Sequence, residues 1–324
     1  MKDLIYKTLE ETDLKLKICS YKEVGGYSAN NFSVIAEGGE KFFLKEFIEP
    51  NLDKLEFINK LSNALTKNKN ILYHPPFISK STYQIFPWIE GNVFHGKEIK
   101  KGLYKYVIFQ LSEFEKLSLD SVKLKKSIDV YNNVDKAEKS FNEMLGKVEK
   151  ELNRSSSFHL LKSLMETKIK IVKKIRKNRC LYGWLSSSNI FVHGDFHNEN
   201  LLFNRGKLVA VLDFELAHIG NRLEDVINFI WFAFLNTSFS RDSVSRAHTF
   251  LREYNKKRPF SKMDLKNALT FFILKLAQST FIEKSFYQTN DPFLFDLIKR
   301  DEKKFKYIDG HFNDLIKKLS DYNE

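Results

Sequence analysis

The sequence predicts an α+β protein with two lobes: an N-terminal lobe of antiparallel strands with one helix, and a larger, mainly helical C-terminal lobe. Three observations support this fold class. The chain has 324 residues, which is long for a single hydrophobic core. Short apolar runs separated by glycine and asparagine turns fill residues 17–92, as antiparallel strands require. From residue 96 onward, apolar residues recur mostly at helical spacing.

The first strands are expected at residues 17–24, 32–36 and 41–48. The loop between the first two begins with Gly25 and Gly26. Backbone N–H groups of such a loop can close over phosphates, so Gly26, Ser28 and Asn30 are candidate nucleotide-binding residues. A plain hairpin turn explains the same loop equally well.

Helical periodicity predicts one helix in the N-terminal lobe, at residues 51–67, and a strand at residues 83–87 that ends in a turn. The later helices are expected at residues 103–117, 134–152, 158–179, 243–254, 263–288 and 292–319. No catalytic pattern lies between residues 96 and 179. The basic residues of the stretch 168–179 are expected to form the solvated face of an amphipathic helix.

The residues that suggest chemistry are concentrated between positions 190 and 215. An apolar run leads into the loop His193-Gly194-Asp195-Phe196-His197-Asn198-Glu199-Asn200, and two short strands with a turn at residues 204–207 follow. Because a hairpin returns its ends to one place, Asp195, Asn200 and Asp213 are expected to converge. The oxygens of Asn200 and Asp213 suit Mg²⁺. An ordinary hairpin with polar turns is the alternative.

This loop, followed by Asp213-Phe214-Glu215, resembles the signature of the aminoglycoside phosphotransferase and choline kinase superfamily, whose members share the bilobal protein-kinase-like fold. The resemblance implies that Asp195 is the catalytic aspartate and that Asn200 and Asp213 hold Mg²⁺. Asp225, near the start of the following helix, would be the buried acid that steadies the catalytic loop. His193 and His197 would support the loop structurally.

The resemblance also implies ATP as phosphoryl donor and a division into a nucleotide-binding lobe, residues 1–89, and a catalytic and substrate-binding lobe, residues 90–324. Strand alternation places Lys45 on one face with Phe43 and Phe47, where it would neutralise phosphate charge. Glu56 is the expected carboxylate partner of Lys45, with Glu46 and Glu49 as alternatives.

The segment linking the two lobes is expected at residues 83–92 by the same resemblance. Pro87 removes one backbone donor, and the backbone of Trp88 and Ile89 would then hydrogen-bond adenine. An ordinary strand exit is the alternative interpretation.

Three other functions are compatible with parts of this pattern. A protein kinase is disfavoured because only 11 residues separate Asp213 from Asp225, which leaves no room for a peptide-docking segment. A metal-dependent hydrolase could use His193, Asp195 and His197 as ligands on one strand face, although Gly194 favours a loop there. A catalytically inactive binding protein with a kinase fold is the third alternative.

The acceptor is not named by the sequence. The superfamily includes kinases of choline or ethanolamine, homoserine, aminoglycosides, methylthioribose and sugars. Glu215 is a candidate acidic contact for an amine of the acceptor, as are Asp296 and Asp301.

The formal net charge is +12 and the pI is near 9.3, which suits an anionic ligand such as ATP and mildly disfavours a polycationic substrate. No specific nucleic-acid partner is expected. Cys19 and Cys180 lack metal or redox spacing and are expected to be reduced. The N-terminal residues have no signal-peptide core, and the longest apolar run, residues 226–235, is too short to span a bilayer. A cytoplasmic location is therefore predicted.

Overall fold

The structure is a computed structural model that describes residues 17–24, 29–47, 52–80, 82–94, 99–117, 124–151, 156–236 and 238–322. The chain divides into two units. The first unit combines Met1–Lys123 with Asn198–Leu216, and the second combines Leu124–His197 with Ala217–Glu324. The predicted lobe boundary at residue 89 stays a prediction.

The strands of the described residues, in chain order, are β1 Ile18–Glu23, β2 Ala29–Ala36, β3 Lys41–Phe47, β4 Ile78–Ser79, β5 Tyr83–Pro87, β6 Ile190–Val192, β7 Leu201–Asn204, β8 Lys207–Val211 and β9 His218–Gly220. The α-helices are α1 Leu52–Leu65, α2 Tyr104–Phe114, α3 Ser127–Asn132, α4 Val134–Glu151, α5 Ser156–Ile175, α6 Arg179–Ser186, α7 Leu223–Ile230, α8 Arg241–Lys257, α9 Lys262–Gln278, α10 Phe281–Thr289 and α11 Pro292–Ser320. A π-helix, Trp231–Leu235, continues directly from α7.

Five strands of the first unit form one antiparallel sheet in the order β1-β2-β3-β5-β4. Alternate residues along these strands face a common apolar layer, because successive strand side chains point to opposite faces. Phe32, Val34, Leu44 and Ile85 form this layer and are each at most 2% exposed. The predicted N-terminal antiparallel sheet is confirmed.

Strands β7 and β8 form a separate hairpin within the first unit. Its two turn residues, Arg205 and Gly206, have φ of 48° and 74°, the left-handed conformation that a two-residue type I′ turn requires. The N–H of Val211 donates to the carbonyl of Leu72 at 2.8 Å, so the outer edge of the hairpin is also paired. The hairpin is thus fixed in the first unit by main-chain bonds as well as by packing.

The second unit is mainly helical, as predicted. Helix α5 packs against α4, α9 and α11, and an aromatic cluster surrounds the junction of α7 with the π-helix. Within that cluster the ring centroids of Phe229 and Phe250 are 4.6 Å apart, and those of Trp231 and Phe272 are 5.2 Å apart. Across the described residues, no helix is long and apolar enough to cross a membrane.

Two predictions about the helices are wrong. Residues 263–288 were expected to form one helix, but α9 ends at Gln278 and Ser279 is extended (φ −66°, ψ 128°). The Ser279 carbonyl accepts a hydrogen bond from the Lys168 ammonium at 2.6 Å. Lys168 was expected on a solvated basic face, yet its side chain is 4% exposed and forms an ion pair with Glu283. The buried ammonium therefore uses the carbonyl freed at the break between the two helices.

Candidate functional site

A polar row crosses the sheet of the first unit at Lys45. Strand register pairs Lys45 of β3 with Asn31 of β2 and with Gln84 of β5, so the three side chains lie side by side on one face. Gln84 is 1% exposed, and its amide donates to the Ser79 hydroxyl at 2.9 Å. The row therefore gives Lys45 polar neighbours on both adjacent strands.

This row forms one wall of a cavity of about 230 Å³ in the first unit. Phe43 and Phe86 provide an apolar wall, with ring centroids 6.1 Å apart. Phe43 and Lys45 thus share a face, as strand alternation predicted. The other lining residues come from α1, the following loop and the end of the hairpin: Ile58, Leu61, Tyr73, Asn200, Asp213, Phe214 and Glu215. An apolar wall beside a fixed cation is what a base and its attached phosphates require.

Two carboxylates flank the Lys45 ammonium. Asp213 lies 3.4 Å away, and Glu215 forms a closer ion pair in which the two side chains are only 10% and 12% exposed. The predicted Lys45–Glu56 pair is wrong for this structure. Glu56 is 66% exposed and pairs instead with Lys60, one turn further along α1, at 2.5 Å.

Asp213 and Asn200 meet at the open end of the hairpin. The N–H of Leu212 donates to the Asn200 carbonyl at 2.9 Å, which places Asn200 beside the residue preceding Asp213. The expected convergence of these two residues is confirmed. Asp213 has φ of 57°, an uncommon conformation that costs roughly 1–3 kcal/mol and persists only where the surrounding structure holds it.

The donors at this end of the hairpin fit a hard divalent cation. Asn200, Asp213 and Glu215 all line the cavity, and amide and carboxylate oxygens are the protein ligands that Mg²⁺ takes. The Asp213 side chain is 37% exposed, so its oxygens can face a solvated ion.

Residues 193–197 of the predicted catalytic loop belong to the second unit, and the side chain of Asp225 accepts hydrogen bonds from the backbone of this part. One carboxylate oxygen of Asp225 accepts the N–H of His193 at 2.7 Å, and the other accepts the N–H of Gly194 at 2.9 Å. Gly194 has φ of 85°, which a residue with a Cβ rarely adopts. Burial raises the pKa of Asp225 to about 6, although the two backbone hydrogen bonds oppose this shift. The expected contact between Asp225 and the loop is present.

Asp195 directly follows the two residues whose backbone Asp225 binds, and its side chain is 33% exposed. Its N–H donates to Nδ1 of His193 at 3.3 Å, and its carboxylate lies 3.3 Å from Nε2 of His197. The His197 ring in turn packs against Phe232, with centroids 5.1 Å apart. Both histidines therefore contact the candidate catalytic residue, which is the supporting arrangement that was expected of them.

The geometry does not favour the hydrolase alternative. His193 is fully buried and its Nδ1 already accepts the Asp195 N–H.

Several predicted nucleotide contacts are placed differently or lie outside the described residues. Gly26 and Ser28 lie outside them. The Asn30 amide donates to Glu46 at 3.0 Å, and its neighbour Asn31 is the one that lines the cavity. Sequence reasoning missed Asn31, although strand pairing with Lys45 could have identified it.

The N–H of Trp88 extends the sheet, since it donates to the Lys41 carbonyl at 3.3 Å. This N–H is therefore used within the sheet, and the predicted contact of the Trp88 and Ile89 backbone with adenine stays a prediction. Glu215, predicted as an acceptor contact, is instead the partner of Lys45.

A family model described as the phosphotransferase enzyme family matches residues 21–260, which is most of the chain. The chain belongs to the phosphotransferase enzyme family. This confirms the superfamily predicted from residues 193–215. No curated protein matches the sequence at a significant level.

Solved structures share the fold of this phosphotransferase at low sequence identity. Macrolide 2'-phosphotransferase MphH from Brachybacterium faecium is 14% identical, with a TM-score of 0.55 over 92% of this chain and 97% of that chain. Amicoumacin kinase hAmiN, solved with AMP-PNP, Ca²⁺ and Ami, is 13% identical, with a TM-score of 0.60 over 94% and 92% of the two chains. The ethanolamine kinase of Plasmodium vivax is 13% identical, with a TM-score of 0.60 over 93% and 86%. The predicted kinase-like fold is confirmed, and family membership supports a small-molecule phosphotransferase.

Proposed function

We propose that this phosphotransferase is a kinase that uses ATP and Mg²⁺ to phosphorylate a hydroxyl group of a small molecule. The observation that carries the proposal is the setting of Lys45, a nearly buried ammonium beside Asp213 and Glu215 in a cavity with a wall of two phenylalanines. An adenine would use the apolar wall, and its phosphates would reach the ammonium.

The nucleotide side is assigned to residues of the first unit. Asn200 and Asp213 would hold Mg²⁺, which neutralises phosphate charge when bound. Lys45 would contact phosphate oxygens, and Glu215 would keep its ammonium in position. Asn31 and Ile89 are further proposed contacts of the nucleotide.

The acceptor side is assigned to Asp195. Its carboxylate would accept the proton of the acceptor hydroxyl while that oxygen forms a bond to the γ-phosphorus and the bond to the bridging oxygen of ADP breaks. His197, 3.3 Å from the carboxylate, would orient it, and Asp225 would hold the loop backbone. A cytoplasmic location, where ATP is present, is part of the proposal.

The relatives support a hydroxylated small molecule as acceptor. The similar solved structures include a macrolide 2'-phosphotransferase, an amicoumacin kinase and an ethanolamine kinase, and the structure of the amicoumacin kinase contains the ATP analogue AMP-PNP. Choline, ethanolamine, homoserine, aminoglycosides and sugars are therefore suitable test acceptors.

The test is ADP formation by the purified protein with Mg-ATP and a panel of hydroxylated acceptors. Asp195→Asn is expected to lower kcat by about 10²–10⁴-fold, the contribution of a general base, while Mg-ATP still raises the melting temperature. Asp314→Asn, an exposed change of the same kind, is the control. Turnover by Asp195→Asn at the control rate would refute the role of Asp195, and the absence of any nucleotide effect on melting would favour a binding protein.

A further inference from the structure

A second cavity, of about 430 Å³, lies within the second unit and is strongly basic. It is lined by the end of the π-helix and the residues that follow it, namely Leu235, Asn236, Ser238 and Phe239, and by Tyr307 and four charged residues of α11. Its charged lining residues, among those that the structure describes, are all cations: Lys299, Arg300, Lys303 and Lys304.

The neighbouring acids only partly neutralise this charge. Asp296 pairs with Lys299 at 3.1 Å, and Asp301 pairs with Lys304 at 3.1 Å and with Arg300 at 3.5 Å. Among the residues that the structure describes, these ion pairs set two carboxylates against the four cations of the cavity. These pairs also occupy Asp296 and Asp301, which the sequence had suggested as contacts for an amine of the acceptor.

The excess positive charge of the cavity affects the pKa of Lys304. Its side chain is 11% exposed, and its ammonium donates to the amide oxygen of Asn236 at 2.8 Å. Burial lowers the pKa of Lys304, Asp301 opposes this shift, and the charges of Arg300 and Lys168 lower it further. An anion bound in the cavity would reduce the repulsion between the Lys304 ammonium and the neighbouring cations.

The π-helix connects this cavity with the candidate catalytic loop. Phe232 contacts His197, which in turn contacts Asp195. Asn236, which ends the π-helix, follows Phe232 by four residues, which is less than one i→i+5 hydrogen-bonded turn of that helix. The cavity thus begins about one turn from the residue that touches the catalytic loop.

We propose that this basic cavity binds a phosphate or carboxylate group of the acceptor, while the acceptor hydroxyl is presented to Asp195. The assignment rests on the proposed function and specifies its substrate class, a hydroxylated small anion such as a sugar phosphate or a hydroxy acid. Polycationic acceptors would be repelled by the same four side chains.

The first test measures binding of inorganic phosphate by calorimetry, with saturating Mg-ADP present so that the nucleotide site is filled. Arg300→Gln/Lys303→Gln removes two exposed cations of the cavity, and Lys317→Gln/Lys318→Gln removes two exposed cations elsewhere on α11. The cavity variant is expected to bind phosphate at least 10-fold more weakly than wild type, with the control unchanged. Equal affinity in all three proteins would overturn the proposal.

The second test compares kcat/KM for glycerol 3-phosphate, glycerate, glycerol and choline as acceptors. Preference for glycerol 3-phosphate would assign the cavity to phosphate, and preference for glycerate would assign it to carboxylate. In either case the cavity variant should raise KM more than it lowers kcat. ATP-dependent turnover that favours glycerol or choline would overturn this proposal while leaving the kinase assignment intact. If Mg-ATP neither raises the melting temperature nor is consumed, the proposed function fails, and the assignment of the cavity fails with it.

Discussion

The ammonium of Lys45 and the carboxylate of Glu215 form an ion pair with both side chains nearly buried, at 10% and 12% exposed. Glu215 follows Asp213 by two residues, so the segment directly after the β8 strand supplies both carboxylates around the lysine. One short segment, residues 213–215, therefore contains both the candidate metal ligand Asp213 and the buried partner of Lys45.

Breaking this pair should destabilise the protein. Glu215→Gln keeps the shape of the side chain but leaves the Lys45 charge with Asp213 alone, and we expect a loss of about 1–3 kcal/mol in the free energy of unfolding. Urea denaturation measures it. Glu56→Gln removes only an exposed pair within α1 and should cost less than about 0.5 kcal/mol.

A double variant separates charge from packing. Lys45→Met/Glu215→Leu leaves no unpaired buried charge at this pair and should be more stable than Glu215→Gln, although it should no longer bind nucleotide. A stability of Glu215→Gln equal to that of wild type would show that the pair contributes nothing to folding.

Asp213→Asn tests the metal assignment with little disturbance of the backbone. Asparagine tolerates the positive φ of this position, 57°, better than most residues. The variant should therefore fold normally but lose the Mg²⁺-dependent part of the stabilisation by ADP. Melting temperatures with ADP, with and without Mg²⁺, measure the effect. A response to Mg²⁺ identical to that of Asp314→Asn would contradict the assignment.

Asp225 should make stability depend on pH in a specific direction. Its folded-state pKa of about 6 lies above the unfolded value of about 3.9. The folded state therefore holds the proton more tightly, and the contribution is complete below about pH 4 and is lost as pH rises through about 6. The shift corresponds to roughly 3 kcal/mol.

The measurement is the free energy of unfolding of wild type and Asp225→Asn between pH 4 and pH 7. The advantage of wild type over the variant should decrease by up to about 3 kcal/mol across this range, because only wild type carries the titrating group. An advantage that grows with pH would mean that the two backbone hydrogen bonds outweigh burial and keep the carboxylate ionised.

Gly91 permits the close approach of the hairpin to the preceding loop in the first unit. A Cβ at this position would lie 2.6 Å from Cγ of Leu202 and 3.0 Å from the carbonyl oxygen of Phe203. Gly91→Ala should therefore cost about 1–3 kcal/mol, as overpacking does. Gly102→Ala has no atom within 4 Å of the added Cβ and serves as the control. Equal stability of the two variants would show that the loop can move away.

The sequence alone was sufficient to predict those features of the candidate site that depend on local residue patterns. The β7–β8 hairpin and the approach of Asn200 to Asp213 follow from short spacings along the chain. The contact of Asp225 with the His193 backbone was instead implied by the family resemblance. Strand alternation likewise predicted that Lys45 and Phe43 share a face.

Only the tertiary structure determined which charged residues form ion pairs with each other. Glu56 was the expected partner of Lys45, yet the carboxylates that reach it belong to a segment 168 residues away, at Asp213 and Glu215. Lys168 was expected in solvent and is paired inside the second unit with Glu283. The physical reason is common to both: periodicity determines the face on which a charged side chain lies, but a buried charge pairs with whichever opposite charge the packing of distant elements brings within reach.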